Sequence, residues 1–115
     1  MMLPVVISQQ ITGDHAANID LLLPADLLWF RGHFPNSPIL PGVAQINWVI
    51  HFSNQLLGPL PVVKSIDVVK FQRPLMPENN VTLVLNWEHM NHKLMFKYLV
   101  HGEITASSGK ITLCQ

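Results

Sequence analysis

An apolar residue occupies every second position in two stretches of the second half of the chain, residues 81–88 and 94–100. This alternation predicts β-strands with one buried face. Asn91 and His92 lie between the two stretches and predict a short hairpin connection. Four further stretches with apolar or β-branched character are also predicted as strands: residues 4–11, 15–23, 62–71 and 103–113.

Residues 43–57 are the one good helix candidate, and the Gly-Pro pair at 58–59 is typical of a helix end. Apolar side chains would occupy most of the circumference of this helix, which predicts that it is buried. Asn47, His51 and Asn54 are spaced i, i+4, i+7 and therefore share one face. A polar stripe on a buried helix needs hydrogen-bond partners or a wet cavity beside it.

The order of these elements is two strands, one helix and four strands. If the last four strands follow one another in hairpin order, they form an antiparallel sheet wrapped around one long central helix. The predicted fold class is therefore α+β, with a single domain over residues 1–115. Hydrophobic residues make up 49% of the chain and charged residues only 12%, which excludes a disordered protein.

The charge balance also excludes some partners. Seven Lys and Arg residues match seven Asp and Glu residues, so no net field attracts nucleic acid or an anionic membrane. Because so apolar a chain has few charges to cover its surface, an oligomer is expected. The single cysteine, Cys114, excludes an internal disulfide framework and a cysteine-based zinc site. A cytoplasmic protein is expected, since no targeting segment or membrane-length apolar run is present.

The chemistry-bearing stretch is residues 32–42, which contain three prolines within seven residues and lead directly into the helix. Prolines restrict the backbone, so this loop can hold a side chain in one place. His33 is therefore a candidate general base at the mouth of an apolar helix. Gly42 lies at the helix start, where unpaired amides and the positive end of the helix dipole can stabilise an oxyanion.

The segment Gly32-His33-Phe34-Pro35, followed by Pro38-Ile39-Leu40-Pro41-Gly42-Val43, resembles the active-site signature of a known family. That family is the hotdog-fold 3-hydroxyacyl-(acyl carrier protein) dehydratases, which are FabA/FabZ-like, and the resemblance is greatest to their aryl-polyene-type branch. Residues 66–77 are similar to a second family block, and the resemblance spans residues 12–115. It implies a hotdog fold and the elimination of water from a 3-hydroxyacyl thioester, in fatty acid or polyketide and polyene synthesis.

The resemblance also implies a role for each matching residue. His33 matches the histidine that removes the C2 proton, and the amide of Gly42, followed by Val43, matches the group that binds the thioester carbonyl. Phe34, Pro35 and Pro41 match residues that position the loop, and in the family the bond before this first proline is often cis.

In the family, the acidic residue is a Glu or Asp fourteen positions after the histidine, on the helix and reaching the site of the other subunit, and this chain has Asn47 there. An asparagine cannot act as a general acid. His51, one helical turn further on, is the candidate replacement, although the two side chains could instead form a polar pair at a subunit interface. Two alternatives to the dehydratase therefore remain open, an acyl-thioester hydrolase and a non-catalytic subunit that binds acyl thioesters.

The expected partner is an acyl carrier protein or a CoA thioester. Lys64, Lys70 and Arg73 could dock the acidic carrier protein or the phosphate of its pantetheine arm, or could simply be solvated. No metal ion and no cofactor are expected. The resemblance further implies a homodimer, with a higher oligomer as an alternative, and an acyl pocket at the dimer interface.

Overall fold

A computed structural model describes residues 2–31 and 38–115. Each predicted element is present in these residues, with bounds within two residues of those expected from the sequence. A short 3-10 turn, Leu28–Phe30, precedes the helix. The other elements are β1 (Val5–Gly13), β2 (Ala16–Leu22), α1 (Gly42–Leu56), β3 (Val63–Phe71), β4 (Asn80–Glu88), β5 (Lys93–Val100) and β6 (Ile104–Leu113).

The strands form one antiparallel sheet in the order β1-β2-β4-β5-β6-β3. The predicted hairpin order is correct for β4, β5 and β6 but wrong for β3, which pairs with β6 at the far edge. The physical reason lies in the side-chain pattern. Strand β4 alternates strictly between buried and accessible residues, as an interior strand must, whereas eight of the nine residues of β3 are exposed, as only an edge permits.

Helix α1 lies against the inner face of the sheet and buries one side only. The prediction of a helix buried all round is wrong for this chain, because one sheet covers only one side of a helix. Val43 is 57% exposed, and Asn47, His51 and Asn54 are exposed as well. The buried side consists of Ala44, Gln45, Trp48, Val49, Phe52 and Ser53.

The C-terminal end of α1 is closed in the predicted way. Gly58 follows the helix with φ 86°, a left-handed conformation that glycine adopts without strain. The Asn54 side chain donates to the Ile50 carbonyl at 3.1 Å and accepts the Leu60 N–H at 2.8 Å. One member of the polar stripe therefore has a local structural role, which is to fix the loop between α1 and β3.

Asp67 joins the edge strand β3 to its neighbours on the outer face of the sheet. Its carboxylate accepts hydrogen bonds from Lys93 and Ser65, each at 2.8 Å, and from Thr112 at 2.5 Å. These bonds, led by that of Lys93, hold the pKa of Asp67 well below its usual range. Because Lys93 and Thr112 belong to β5 and β6, Asp67 fixes the position of β3 across three strands.

A membrane-spanning helix and a metal-binding cluster are both absent from the described ranges, 2–31 and 38–115. No helix there is both long and apolar enough to cross a membrane. No group of three or more His, Cys, Asp or Glu side chains there is arranged to hold a metal ion.

Candidate active site

The site is built on the first turn of α1. Pro41 occupies the N-cap position, and its side chain has no atom that could accept a hydrogen bond. The Pro41 carbonyl accepts the N–H groups of Ala44 and Gln45 at 3.1 and 3.3 Å. Within the described residues, the N–H groups of Gly42 and Val43 have no such acceptor. Two amide donors at the positive end of the helix dipole are therefore available to an anionic oxygen.

The aromatic ring of Phe71 covers Gly42. A Cβ atom at position 42 would lie 2.5 Å from Cζ of Phe71 and about 3 Å from two further ring atoms, so any larger residue there would displace the ring. Phe71 is the last residue of β3 and is itself 53% exposed. The end of the edge strand thus forms one wall of the site at the helix N-terminus.

A cavity of about 250 Å³ opens beside this first turn. Gly42 and Phe71 lie on its wall together with Arg73, which follows β3, and Gln45 of the helix. The remaining lining residues are Ile39, Leu40, Pro41, Gln72 and Pro74. A cavity of this size admits a thioester group and a few carbon atoms.

Gln45 belongs to a buried hydrogen-bond network behind the cavity. Its side chain is 3% exposed, accepts the Ser107 hydroxyl at 2.6 Å and donates to the Leu40 carbonyl at 3.3 Å. The Tyr98 hydroxyl donates to the Gln45 carbonyl at 2.7 Å, and burial raises the pKa of Tyr98 above its ordinary value. This network holds the first turn of α1 against β5 and β6 and so fixes the direction of the free amides.

The predicted site residues are only partly described by the structure. His33, Phe34 and Pro35, with the expectation of a cis bond before this proline, lie outside the described residues. Pro41 is half-buried at the N-cap, directly before Gly42.

Asn47 and His51 lie on the exposed side of α1, one helical turn apart. Two interpretations of this pair are open, a polar contact between subunits and a replacement for the general acid. Both interpretations require these side chains to be accessible on the surface of the single chain, and they are.

The three candidate docking cations do not form one patch. Arg73 lines the cavity at the helix N-terminus. Lys70 lines a groove on the outer face of the sheet, with Lys97 and Lys110, and Lys64 lines neither. Of the three, Arg73 is the one positioned beside the candidate active site.

Three residues that shape the site were not predicted: Gln45, Phe71 and Ser107. Gln45 had a signal, because it is a polar residue on the helix face that also carries Ala44, Trp48 and Val49. The other two had none, since their importance depends on the pairing of β3 with β6, which places Phe71 opposite Ser107.

Comparison with known proteins identifies the family. A family model described as ApeI dehydratase, ApeI-like, matches residues 8–110. A curated 3-hydroxyacyl-[acyl-carrier-protein] dehydratase, FabZ, of Koribacter versatilis is 31% identical over 91 residues, covering 70% of this chain. The chain spans 58% of the length of that relative.

Two solved structures are similar over nearly the whole chain. One is a chain of the dehydratase heterocomplex ApeI:P of Xenorhabdus doucetiae, 48% identical with a TM-score of 0.93, covering 99% of this chain and 100% of that one. The other is an uncharacterised protein of Erwinia carotovora subsp. atroseptica, 39% identical with a TM-score of 0.87, covering 98% and 97%.

The predicted fold and family are therefore confirmed. The architecture is that of the hotdog fold, with the six-stranded sheet against one helix. The chain belongs to the ApeI-like dehydratase family.

Proposed function

We propose that the protein is a 3-hydroxyacyl-thioester dehydratase whose substrate is carried by an acyl carrier protein. One observation carries the proposal. The helix that follows the His33 loop begins with two amides, at Gly42 and Val43, that have no acceptor among residues 2–31 and 38–115, and a cavity large enough for a thioester lies beside them. Family membership supports the same reaction. Because such thioesters are made and used in the cytoplasm, we expect the protein there.

In the proposed reaction, the thioester oxygen accepts a hydrogen bond from the Gly42 amide. The imidazole of His33 removes the C2 proton, and the electron pair of the C2–H bond passes to the thioester as an enolate. The enolate then re-forms the carbonyl as the C2–C3 double bond forms and the C3–O bond breaks. The departing oxygen takes up a proton, so the products are a 2-enoyl thioester and water.

The proton for the departing oxygen is assigned to His51. The amide of Asn47 can donate a hydrogen bond and hold a water molecule, but it has no proton to transfer at neutral pH. Nine positions separate His51 from Gly42, which places it half a turn around α1 and about 14 Å along the axis. In the proposed dimer, a protonated His51 therefore supplies the proton, through that water, to the site of the other subunit. Phe34, Pro35 and Pro41 are assigned to holding the loop, and Arg73 to the phosphate of the pantetheine arm.

Product analysis tests this proposal and separates it from the two alternatives. A panel of 3-hydroxyacyl thioesters, on carrier protein and on CoA, is incubated with the protein and followed by mass spectrometry. Loss of one water from the intact thioester is expected. Release of the free thiol would instead indicate a hydrolase, and binding without either change would indicate a subunit that only binds acyl thioesters.

Replacing Gly42 by alanine is expected to slow water loss about 10- to 100-fold, through a small displacement of the reacting groups. The added methyl group would lie 2.5 Å from Phe71, whose ring is half exposed and can swing outward, so the fold is retained. A double variant that combines Gly42→Ala with Phe71→Ala removes the crowding and should recover part of the rate. Steady-state kinetics compare the variants, and unchanged turnover in Gly42→Ala contradicts the role of this turn.

The free edge of β3 is proposed to pair with the same edge of a second copy of this chain. Ile66, Val68 and Phe71 on this strand are each about half exposed, and Val43 on the adjoining helix is 57% exposed. Edge-to-edge pairing would satisfy the free backbone groups of β3 and cover part of this apolar surface.

Light scattering is expected to give a homodimer of twice the 13.0 kDa monomer mass. Ile66→Lys on β3 should shift the protein towards monomer. Ile11→Lys, at a similarly exposed isoleucine on the opposite edge strand β1, should not. A monodisperse wild-type monomer would contradict the homodimer and would favour a different subunit on β3, in line with the heterocomplex named for the Xenorhabdus relative.

A further inference from the structure

Gln45 is a polar side chain to which the reaction proposed above gives no direct part. It is 3% exposed and lies on the buried face of α1, beside Ala44 and Trp48. Gln45 also lines the cavity of about 250 Å³ at the helix N-terminus, together with Gly42. A glutamine on a buried helix face reduces stability unless its polar atoms have partners, so the partner of each atom matters.

Two hydrogen bonds fix the orientation of the Gln45 side-chain amide. Its oxygen Oε1 accepts the Ser107 hydroxyl at 2.6 Å, and its nitrogen Nε2 donates to the Leu40 carbonyl at 3.3 Å. Because a carbonyl oxygen can only accept, the amide atom that faces Leu40 must be the nitrogen. The amide therefore cannot be reversed, and both of its ends are held.

One N–H group of this amide is left over. Nε2 carries two N–H groups, and the Leu40 carbonyl is its only acceptor among residues 2–31 and 38–115. A buried donor without an acceptor is costly, and such groups in folded proteins usually bind water or a ligand. Since Gln45 lines the cavity and is otherwise buried, an acceptor inside the cavity can satisfy this N–H group.

The Gln45 amide lies close to the free N–H group of Gly42. Positions 42 and 45 are neighbours on the helix surface, with a rise of about 4.5 Å between them. The bond to Leu40, five positions earlier, shows that the Gln45 side chain points towards the helix N-terminus. In the described part of the chain, the cavity lining includes Arg73 but no carboxylate. One oxygen in the cavity can thus meet a backbone donor and a side-chain donor, with no acid to repel it.

We infer that Gln45 is a second oxyanion donor, whose free N–H group donates to the same thioester oxygen as the Gly42 amide. This inference rests on the proposed function, because that function places the thioester at Gly42. A carbonyl oxygen has two lone pairs, one for each donor. Removal of the C2 proton moves negative charge onto this oxygen, so both hydrogen bonds strengthen in the transition state and lower the barrier.

Infrared spectroscopy of a bound thioester tests this contact without turnover. The probe is a saturated acyl pantetheine thioester with a heavy carbon isotope at the carbonyl, and it has no hydroxyl group to lose. A hydrogen bond to a carbonyl lowers its stretching frequency, so the band of the probe should lie at higher frequency in Gln45→Leu than in wild type. Ser108→Ala is the matched control, because Ser108 lines the groove on the outer face of the sheet, and its replacement should not move the band.

Steady-state kinetics separate a catalytic donor from a purely structural bridge. Gln45→Leu should lower kcat about 10²-fold, the usual effect of losing one oxyanion donor, with a smaller change in KM. Ser107→Ala removes one bond that holds the amide but keeps the free N–H group, so it should lower kcat less than about tenfold. A double variant with Gln45→Leu and Ser107→Ala leaves no unpaired hydroxyl at position 107, so it should fold and keep the low kcat of Gln45→Leu.

An unchanged carbonyl band in Gln45→Leu with the probe bound would overturn the inference. Equal losses of kcat in Gln45→Leu and Ser107→Ala, or a wild-type protein that does not bind the probe, would overturn it as well. A band shift in a protein that never releases water supports Gln45 as a donor and contradicts the proposed dehydratase instead. Thermal unfolding shows whether each variant is folded, and if Gln45→Leu alone is not, the double variant decides.

Discussion

Replacement of His33 by alanine is expected to lower the rate of dehydration about 10²- to 10⁴-fold, the usual contribution of a positioned general base. The C2 proton of a thioester is removed only by a base held close to it. An unperturbed imidazole, with a pKa of about 6.5, is mostly neutral at pH 7 and can accept that proton. The loop before Gly42 contains no second histidine that could replace His33 as the base.

Single-turnover kinetics on a 3-hydroxyacyl thioester measure this effect directly. His101→Asn is a matched control, because His101 lies in the β5–β6 turn with φ 55°, a conformation that asparagine tolerates. Circular dichroism and the oligomeric mass establish that both variants fold. A folded His33→Ala variant that turns over like wild type would remove His33 from the mechanism.

Replacement of His51 by glutamine is expected to remove most of the activity, by about a hundredfold. Glutamine retains hydrogen-bonding capacity but cannot release a proton to the departing hydroxyl group. Because His51 is exposed on α1, its replacement leaves the hydrophobic core intact, and the loss can be assigned to chemistry.

Adding Asn47→Glu to His51→Gln should recover part of the lost rate. Residue 47 is exposed and lies on the same side of the helix one turn earlier, so a carboxyl group there can reach the same region. Asn54→Gln does not serve as a control, since Asn54 holds the loop after the helix. His51→Gln turning over as fast as wild type would show that the proton comes from another group.

Most of the fold could be predicted because the helix and the interior strands carry strong local patterns. In β4, Val81, Leu83 and Leu85 are all buried, as strict alternation requires. The end of α1 was equally clear, since Gly58 adopts the left-handed conformation that its position predicts.

The position of β3 could not be predicted from local pattern. The sequence of β3 identifies it as a strand but does not show which strand it pairs with. That pairing depends on which edge of the sheet the chain reaches after α1. The same limit applies to the helix, whose apolar circumference is shared between the core and an exposed surface. Val43 is exposed because the sheet covers only one side of α1. The helix sequence alone does not show which side that is.

Part of the candidate site could also be predicted from the sequence, and part could not. Gly42 could be selected as a candidate because glycine at a helix start, after a proline-rich loop, is unusual in a purely structural element, and its role stays a prediction. The ring of Phe71 above it depends on the end of β3, and the bond between Gln45 and Ser107 joins residues 62 positions apart. Such contacts arise only after the sheet has formed, and they determine how rigid the free amides are.

The most direct test of the account is the reverse reaction in deuterium oxide. A 2-enoyl thioester is incubated with the protein, and the product is examined by mass spectrometry and NMR. We expect a 3-hydroxyacyl thioester with one deuterium at C2, delivered through His33, and a greatly reduced yield of this product with His33→Ala. An enoyl thioester that stays unhydrated by the folded wild-type protein, while the FabZ relative converts it under the same conditions, would contradict the account.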